Sequence, residues 1–183
     1  MSTRTQATIE DLYHVDEDGK AEIVDGELVL MSPTGDLPSS AALEIAVSLR
    51  GYAQKTRIGR AYGDGAGFIV DLPNRDSFSP DASLYIGPRT RGKFLTGAPI
   101  FAVEVRSQED YGRRAERKMA QKRADYFTAG TLVVWDVDVL RDQVIRCYTS
   151  DHPDDPKVFR SGEIADAEPA LPGWMMPVDD LFV

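Results

Sequence analysis

The sequence predicts an α/β or α+β fold in which helices flank a mixed central β-sheet. The prediction rests on the order of the hydrophobic patterns, which is helix, hairpin, helix, strands, long helix and strands. It also rests on one strand pattern that is apolar enough to lie in the centre of a sheet. A length of 183 residues suits one domain with a sizeable core. We therefore interpret residues 1–183 as a single domain.

A short helix and a β-hairpin are predicted near the start of the chain. Thr8 and Asp11 have the spacing of a helix-capping pair. Residues 22–24 and 27–31 flank Asp25-Gly26, a dipeptide favoured in two-residue type I′ turns because both central residues need positive φ. The hairpin prediction therefore depends on local chemistry.

A second helix is predicted to begin with a cap at Ser39 or Ser40 and to run to about Lys55. Residues 59–67 are punctuated by glycines and lead into a strand and turn at 67–72. A phosphate-binding P-loop is excluded there, because no Gly-Lys-Ser/Thr follows. The predicted inner face of the helix consists of Leu43, Ala46, Val47 and Ala53.

The rest of the predicted sheet accompanies one long helix. Residues 110–129 have a helical pattern, and Gly130 stands where a C′ residue would end it. The closing segment, residues 171–182, is predicted to pack along an edge. The predicted strands are residues 82–86, 100–106, 131–137 and 143–149.

The composition, with 42% apolar and 28% charged residues, is that of an ordinary globular protein. No apolar run approaches the ~20 residues that span a bilayer, and no apolar signal core is present, so we expect a cytoplasmic protein without a membrane partner. Cys147 is the single cysteine, which excludes an internal disulfide. His14 and His152 are isolated, which argues against a zinc site. Tyr126 and Trp135 are expected in the core rather than as base-stacking platforms.

The charge of the chain is unevenly distributed. The net charge is −9, yet the stretch from Arg89 to Arg123 contains ten basic and four acidic residues. A surface that binds nucleic acid would produce this asymmetry, and so would a merely solvated basic helix. The residues of this stretch predicted to bind nucleic acid are Arg113, Arg114, Arg117 and Lys118.

Two carboxylates in strand-like segments, Asp81 and Glu104, form the candidate site. Glu104 interrupts an apolar run that begins at Ile100, where a buried charge is costly unless a metal, a cation or hydrogen bonds compensate it. Strand alternation puts Arg106 on the same face as Glu104. Two carboxylates and a cation suit a Mg²⁺ site for phosphodiester hydrolysis. The competing interpretations are a structural Glu104–Arg106 ion pair and an ordinary turn aspartate after Pro80.

A series of different short motifs extends through nearly the whole chain. They are residues 22–28, Ser32-Pro33, Pro80-Asp81, residues 103–107, residues 122–126, Gly130, residues 135–138 and residues 171–174. In this order and spacing they resemble the Uma-type restriction endonucleases of bacteria, a branch of the PD-(D/E)XK nuclease superfamily. The resemblance implies a restriction-endonuclease-like fold, an endonuclease activity, and Asp81 and Glu104 as metal ligands.

The chain departs from the superfamily pattern at Arg106, which stands where the lysine of Glu-x-Lys is expected. An arginine stays charged and cannot act as a base. The family resemblance places the lysine on the following helix as Lys122, although Arg123 lies nearer the centre of the apolar arc of that helix. Glu22, in the opening hairpin, is a candidate third metal ligand; the alternative is a hairpin surface residue like Glu27.

The leading hypothesis is a Mg²⁺- or Mn²⁺-dependent endodeoxyribonuclease that acts on DNA. In it Asp81 and Glu104 bind the metal, Lys122 orients or activates the attacking water, and Arg106 steadies the phosphate. The second hypothesis is a catalytically inactive nuclease-fold protein that binds nucleic acid or an acidic partner through residues 89–123. A nuclease acting on RNA or on a structured junction is the third. The two-strand chemistry of restriction-type enzymes is compatible with a homodimer.

Overall fold

The computed structural model describes residues 6–15 and 20–182. Its helices are α1 (Ile9–Tyr13), α2 (Asp36–Thr56), α3 (Arg113–Thr128) and a closing 3₁₀ helix (Val178–Phe182). Its strands are β1 (Lys20–Val24), β2 (Glu27–Met31), β3 (Arg60–Tyr62), β4 (Phe68–Leu72), β5 (Arg75–Phe78), β6 (Ala82–Tyr85), β7 (Leu95–Thr96), β8 (Phe101–Val105), β9 (Val133–Asp138), β10 (Val144–Thr149), β11 (His152–Arg160), β12 (Ile164–Asp166) and β13 (Met175–Pro177). No helix within these described ranges is long and apolar enough to cross a membrane.

Two mixed sheets make up most of the described part of the chain. One has six strands in the order β11-β10-β9-β8-β6-β3, with β8 and β9 parallel and the other pairs antiparallel. The other has five strands in the order β2-β1-β5-β4-β7, of which β4 and β7 are parallel. A separate ribbon pairs β12 with β13. The predicted α+β fold with a mixed sheet and flanking helices is confirmed.

The two long helices pack on opposite faces of the six-stranded sheet. Phe101 and Val103 of β8 share an apolar cluster with the buried side chains of α2. Ala102 belongs instead to the cluster that contains Tyr126 of α3. Because strand side chains alternate, Glu104 lies on the α3 side, as Ala102 does.

The local signals near the turns are confirmed. Asp25 and Gly26 both have positive φ, and β1 pairs with β2 across them. Thr8 forms the predicted capping box with Asp11 at the start of α1. Gly130 has a φ of 102°, as expected for a C′ residue after α3.

Helix α2 differs from its prediction in its start and its orientation. It begins at Asp36 rather than after residues 39–40, because Pro38 fits the first turn, where a helix leaves its N–H groups without intrahelical partners. Leu43 and Val47, predicted on the inner face, are exposed. The predicted Ala46 and Ala53 are only partly buried, at the edge of the packed face. The helix buries a stripe with larger side chains at helical spacing, which is Ala42, Ile45, Leu49 and Tyr52.

The C-terminal third holds two further differences. The predicted strands end at residue 149, and the sequence after Ser150 is rich in proline and aspartate, yet β11 pairs along β10. Edge strands tolerate proline and charge, because one side of their backbone faces no neighbour. In residues 171–182, Leu171 and Trp174 are buried in the main apolar cluster instead of packing along an edge.

Candidate active site

The pairing of β6 with β8 brings Asp81 close to Glu104. Asp81 directly precedes β6, where Ala82 pairs with Val103. The N–H of Asp81 donates to the carbonyl of Val103 at 3.0 Å, and the N–H of Val105 donates to Asp81 Oδ2 at 2.7 Å. These bonds fix the Asp81 carboxylate beside the backbone that carries Glu104.

Lys122 reaches the strand carboxylates from α3. Its Nζ lies 2.7 Å from Glu104 Oε2 and 2.9 Å from Glu22 Oε1. One helical turn further on, the Tyr126 hydroxyl donates to Glu104 Oε1 at 2.7 Å. Residues four apart share a helix face, so both side chains meet the same carboxylate.

Glu22 lies in a buried network beneath these contacts. It is 4% exposed, so its interpretation as a hairpin surface residue is wrong. Its Oε2 accepts from Arg75 at 2.6 Å, and its Oε1 accepts from the N–H of Ser79 at 2.8 Å. Arg75 also donates to Asp125 of α3 at 2.8 Å. These bonds connect β1, β5 and α3.

A second lysine, Lys20 at the start of β1, contacts Asp81. Its Nζ lies 2.8 Å from Asp81 Oδ1 and 2.7 Å from Asp64 Oδ1. The sequence prediction missed both Lys20 and Asp64. A signal for Lys20 existed, because residues 20 and 22 of one strand point to the same face and Glu22 was already a candidate. Asp64 lies in a loop, where no periodic pattern identifies it.

The electrostatic environment distinguishes Glu104 from Glu22. Burial raises the pKa of Glu104 to about 7; the charges of Asp81 and Glu22 add to the rise, and Lys122 opposes it. Burial also acts to raise the pKa of Glu22, but the charges of Lys122 and Arg75 outweigh burial and lower it. Burial alone would lower the pKa of Lys122, whereas Glu104 and Glu22 together raise it. Glu104 is therefore a carboxylate whose negative charge is incompletely compensated.

The sequence and the fold were compared with those of known proteins. The family Uma2, described as "Putative restriction endonuclease", matches residues 7–179. The chain belongs to this family. A solved structure, described as a putative nuclease belonging to DUF820 from Anabaena variabilis ATCC 29413, has a TM-score of 0.75 and 18% sequence identity over 96% of this chain and 97% of that chain. That likeness shows a shared fold. A comparison with curated proteins finds no match.

The predicted family, the endonuclease class of enzyme and the restriction-endonuclease-like fold are thereby confirmed.

Arg106 of this Uma2 chain lies apart from the carboxylate pair. Its Nε and Nη2 donate to the two oxygens of Asp136, each at 2.7 Å, and its Nη1 pairs with Glu116. These acids, and not Glu104, compensate its charge. Arg106 also lines a surface pocket of about 440 Å³ together with Tyr111 and Arg146, so that pocket is not the carboxylate site. A phosphate that approached Arg106 would have to displace Glu116.

The other predicted cations lie on α3. The Arg123 guanidinium stands 3.7 Å from the centre of the Tyr148 ring, so Lys122 and not Arg123 reaches the site. Tyr126 and Trp135 are buried, as predicted. Exposed side chains on the first turns of the helix are Arg113, Arg114, Arg117 and Lys118.

Oxygen ligands for a hard cation are present at Asp81 and Glu104. Within residues 6–15 and 20–182, no three His, Cys, Asp or Glu side chains are grouped so that they could hold a metal. Two carboxylates nevertheless suit Mg²⁺, which commonly takes one or two of them and completes its shell with water and phosphate oxygens. Glu22 already forms ion pairs with Lys122 and Arg75, so both of its oxygens have cationic or N–H partners without a metal.

Proposed function

We propose that the chain is a divalent-metal-dependent endodeoxyribonuclease that hydrolyses phosphodiester bonds in DNA. The observation that carries the proposal is the 2.7 Å contact between Lys122 Nζ and Glu104 Oε2. The superfamily pattern expects a lysine at position 106, where this chain has an arginine. In this proposal Lys122 of α3 takes the role of that lysine, next to two carboxylates that can hold a metal. Membership of the restriction endonuclease family supports the same reaction.

The donor chemistry of Asp81 and Glu104 fits Mg²⁺ or Mn²⁺. Hard cations prefer carboxylate oxygens. Burial raises the pKa of Glu104 to about 7, so a divalent cation would relieve the repulsion among the carboxylates and keep Glu104 ionised. A bound metal would supply an activated water and offset the charge of the phosphate.

Lys122 acts in this proposal as a protonated group. Its position between Glu104 and Glu22 raises its pKa, so the ammonium stays charged at neutral pH. A charged lysine donates hydrogen bonds and accepts no proton. Lys122 therefore orients the attacking water or a phosphate oxygen, and it is not the general base. Tyr126 holds the other oxygen of Glu104 and so limits its rotation.

We assign DNA binding to the exposed cations of α3. Lysine and arginine contacts to phosphates release counterions, which makes such binding depend strongly on salt. Arg106 is assigned a positioning role, because Asp136 and Glu116 already engage its guanidinium. In a homodimer, each of the two sites would act on one strand of the DNA. Light scattering of the purified protein measures its molar mass and so tests for a dimer. The assigned DNA-binding residues are Arg113, Arg114, Arg117 and Lys118.

Cleavage of a supercoiled plasmid tests the catalytic proposal. We expect the native chain to nick or linearise DNA with Mg²⁺ or Mn²⁺ and to stop when EDTA is added. Asp81→Asn, Glu104→Gln and Lys122→Met should each lower the rate by about a hundredfold or more. The matched control Arg123→Met, at the next helix position, should keep the native rate. The proposal fails if the native chain cleaves nothing with either metal, or if Glu104→Gln cleaves at the native rate.

One observation favours a second function, which is nucleic-acid binding without catalysis. Lys20 Nζ lies 2.8 Å from Asp81 and Lys122 Nζ lies 2.7 Å from Glu104, so each carboxylate has an ion-pair partner without a metal. This function predicts salt-sensitive DNA binding that survives in the double variant Asp81→Asn/Glu104→Gln, with no cleavage by the native chain. Duplex DNA, single-stranded RNA and a four-way junction, assayed side by side, identify the substrate class.

A further inference from the structure

We propose that Lys20 is a displaceable counter-ion of Asp81, which passes to Asp64 when a divalent cation binds and thereby sets the metal affinity of the site. The inference rests on the proposed function, because it takes Asp81 as a metal ligand. It assigns a role to two residues outside the predicted site.

The geometry shows one ammonium shared between two carboxylates. Lys20 Nζ lies 2.8 Å from Asp81 Oδ1 and 2.7 Å from Asp64 Oδ1. A metal that takes an oxygen of Asp81 competes directly with Lys20 for the same charge. Because the second bond already exists, Lys20 can give up Asp81 without leaving its charge unpaired.

Asp64 is suited to receive the displaced lysine. Its side chain is 53% exposed, whereas those of Lys20 and Asp81 are 16% and 15% exposed. Asp64 lies in the loop between β3 and β4, and its Oδ1 accepts the N–H of Gly65 at 2.8 Å, which orients the carboxylate. Lys20 can therefore move outward toward solvent while it keeps an anionic partner.

Lys122, in contrast to Lys20, has both of its anionic partners inside the cluster. They are Glu22 and Glu104, and Glu22 is held in addition by Arg75. Among the charges that act on Lys20, Glu104 attracts it and Lys122 repels it, so a cation arriving between the carboxylates adds to a repulsion already present. Lys20 is thus the cation that metal binding displaces.

Calorimetric titration of the purified chain with MnCl₂, without DNA, tests the inference. Lys20→Met should bind Mn²⁺ about tenfold more tightly than the native chain, because no ammonium competes for Asp81. Asp64→Asn should bind about fivefold more weakly, because Lys20 then has Asp81 as its remaining partner. Lys55→Met, an exposed lysine of α2, is the matched control and should bind as the native chain does. Thermal unfolding confirms that each variant is folded, and Lys20→Gln replaces Lys20→Met if that variant is not.

A double-variant cycle separates displacement from simple charge effects. If Asp64 acts through Lys20, Asp64→Asn should change nothing in the Lys20→Met background. The inference is overturned if Asp64→Asn weakens Mn²⁺ binding equally in both backgrounds. It is also overturned if Lys20→Met binds Mn²⁺ no more tightly than the native chain. If Mn²⁺ binding is lost in Asp81→Asn but unchanged in Lys20→Met, the inference fails while the proposed function stands. If no variant and no native chain binds Mn²⁺, both fail.

Discussion

The raised pKa of Glu104 predicts a metal affinity that depends steeply on pH. Metal binding requires the ionised carboxylate, and the proton competes for it. Burial, Asp81 and Glu22 raise the pKa of Glu104 from its ordinary 4.5 to about 7. The protonated form is therefore favoured below about pH 7, and metal binding weakens as the pH falls through that value.

The size of the effect follows from the ionised fraction. With a pKa of about 7 for Glu104, about one tenth of the carboxylate is ionised at pH 6 and about one hundredth at pH 5. The apparent affinity for Mn²⁺ should accordingly fall about tenfold from pH 8 to pH 6, and about a hundredfold from pH 8 to pH 5. An unperturbed glutamate would give almost no change between pH 8 and pH 6.

Calorimetric titrations with MnCl₂ at pH 8, 7, 6 and 5 measure this dependence. Two variants serve as controls. Asp81→Asn removes one of the charges that raise the pKa of Glu104, so its weaker binding should begin to fall at a lower pH. Glu104→Gln has no carboxylate to protonate, so its residual binding should be nearly flat above pH 5. A native chain whose affinity changes less than about twofold between pH 8 and pH 6 would refute the reasoning.

Three further predictions concern the stability of the fold and the binding of DNA. Arg75→Met should lower the free energy of unfolding by about 3 to 5 kcal/mol in urea titration, because Glu22 and Asp125 then lose their buried cation; a smaller loss would mean that water replaces the guanidinium. Gly130→Ala should cost about 1 kcal/mol by the same measurement, because φ is 102° while a Cβ there meets open space. Replacing the four exposed α3 cations by glutamine should lower the slope of log affinity for DNA against log salt by roughly 3 to 4, with unchanged slopes excluding them from phosphate contact. They are Arg113, Arg114, Arg117 and Lys118.

The sequence predicts those features that depend on neighbouring residues. Asp25-Gly26 specifies its turn through backbone conformation, and Gly130 ends α3 for the same reason. Strand alternation correctly separates Val103 from Glu104. The family pattern placed the lysine on the helix, and the contact of Lys122 with Glu104 agrees with that placement.

The features that the sequence did not reveal depend on residues far apart in the chain. Glu22 can be buried because Lys122 and Arg75, both more than fifty residues later in the chain, compensate its charge, and no local pattern contains these pairs. Arg106 has the right alternation to join Glu104, but the choice between Glu104 and Asp136 is decided by side-chain geometry across β8 and β9. The rotation of α2 is likewise set by which apolar stripe removes more surface from water.

Because Arg106 binds Asp136, the cation that contacts Glu104 is Lys122 of α3. The position of α3 therefore matters for this site. A cation on the strand would be fixed by the sheet, whereas Lys122 is fixed only as well as the helix that carries it. Helix α3 is held by the stacking of Tyr126 on Phe78, with ring centres 4.0 Å apart, and by the Arg75–Asp125 pair. Phe78 and Arg75 both belong to β5 of the five-stranded sheet. The position of Lys122 therefore depends on the second sheet, so under the proposed function substitutions in β5 should change the activity without touching either carboxylate of the proposed metal pair.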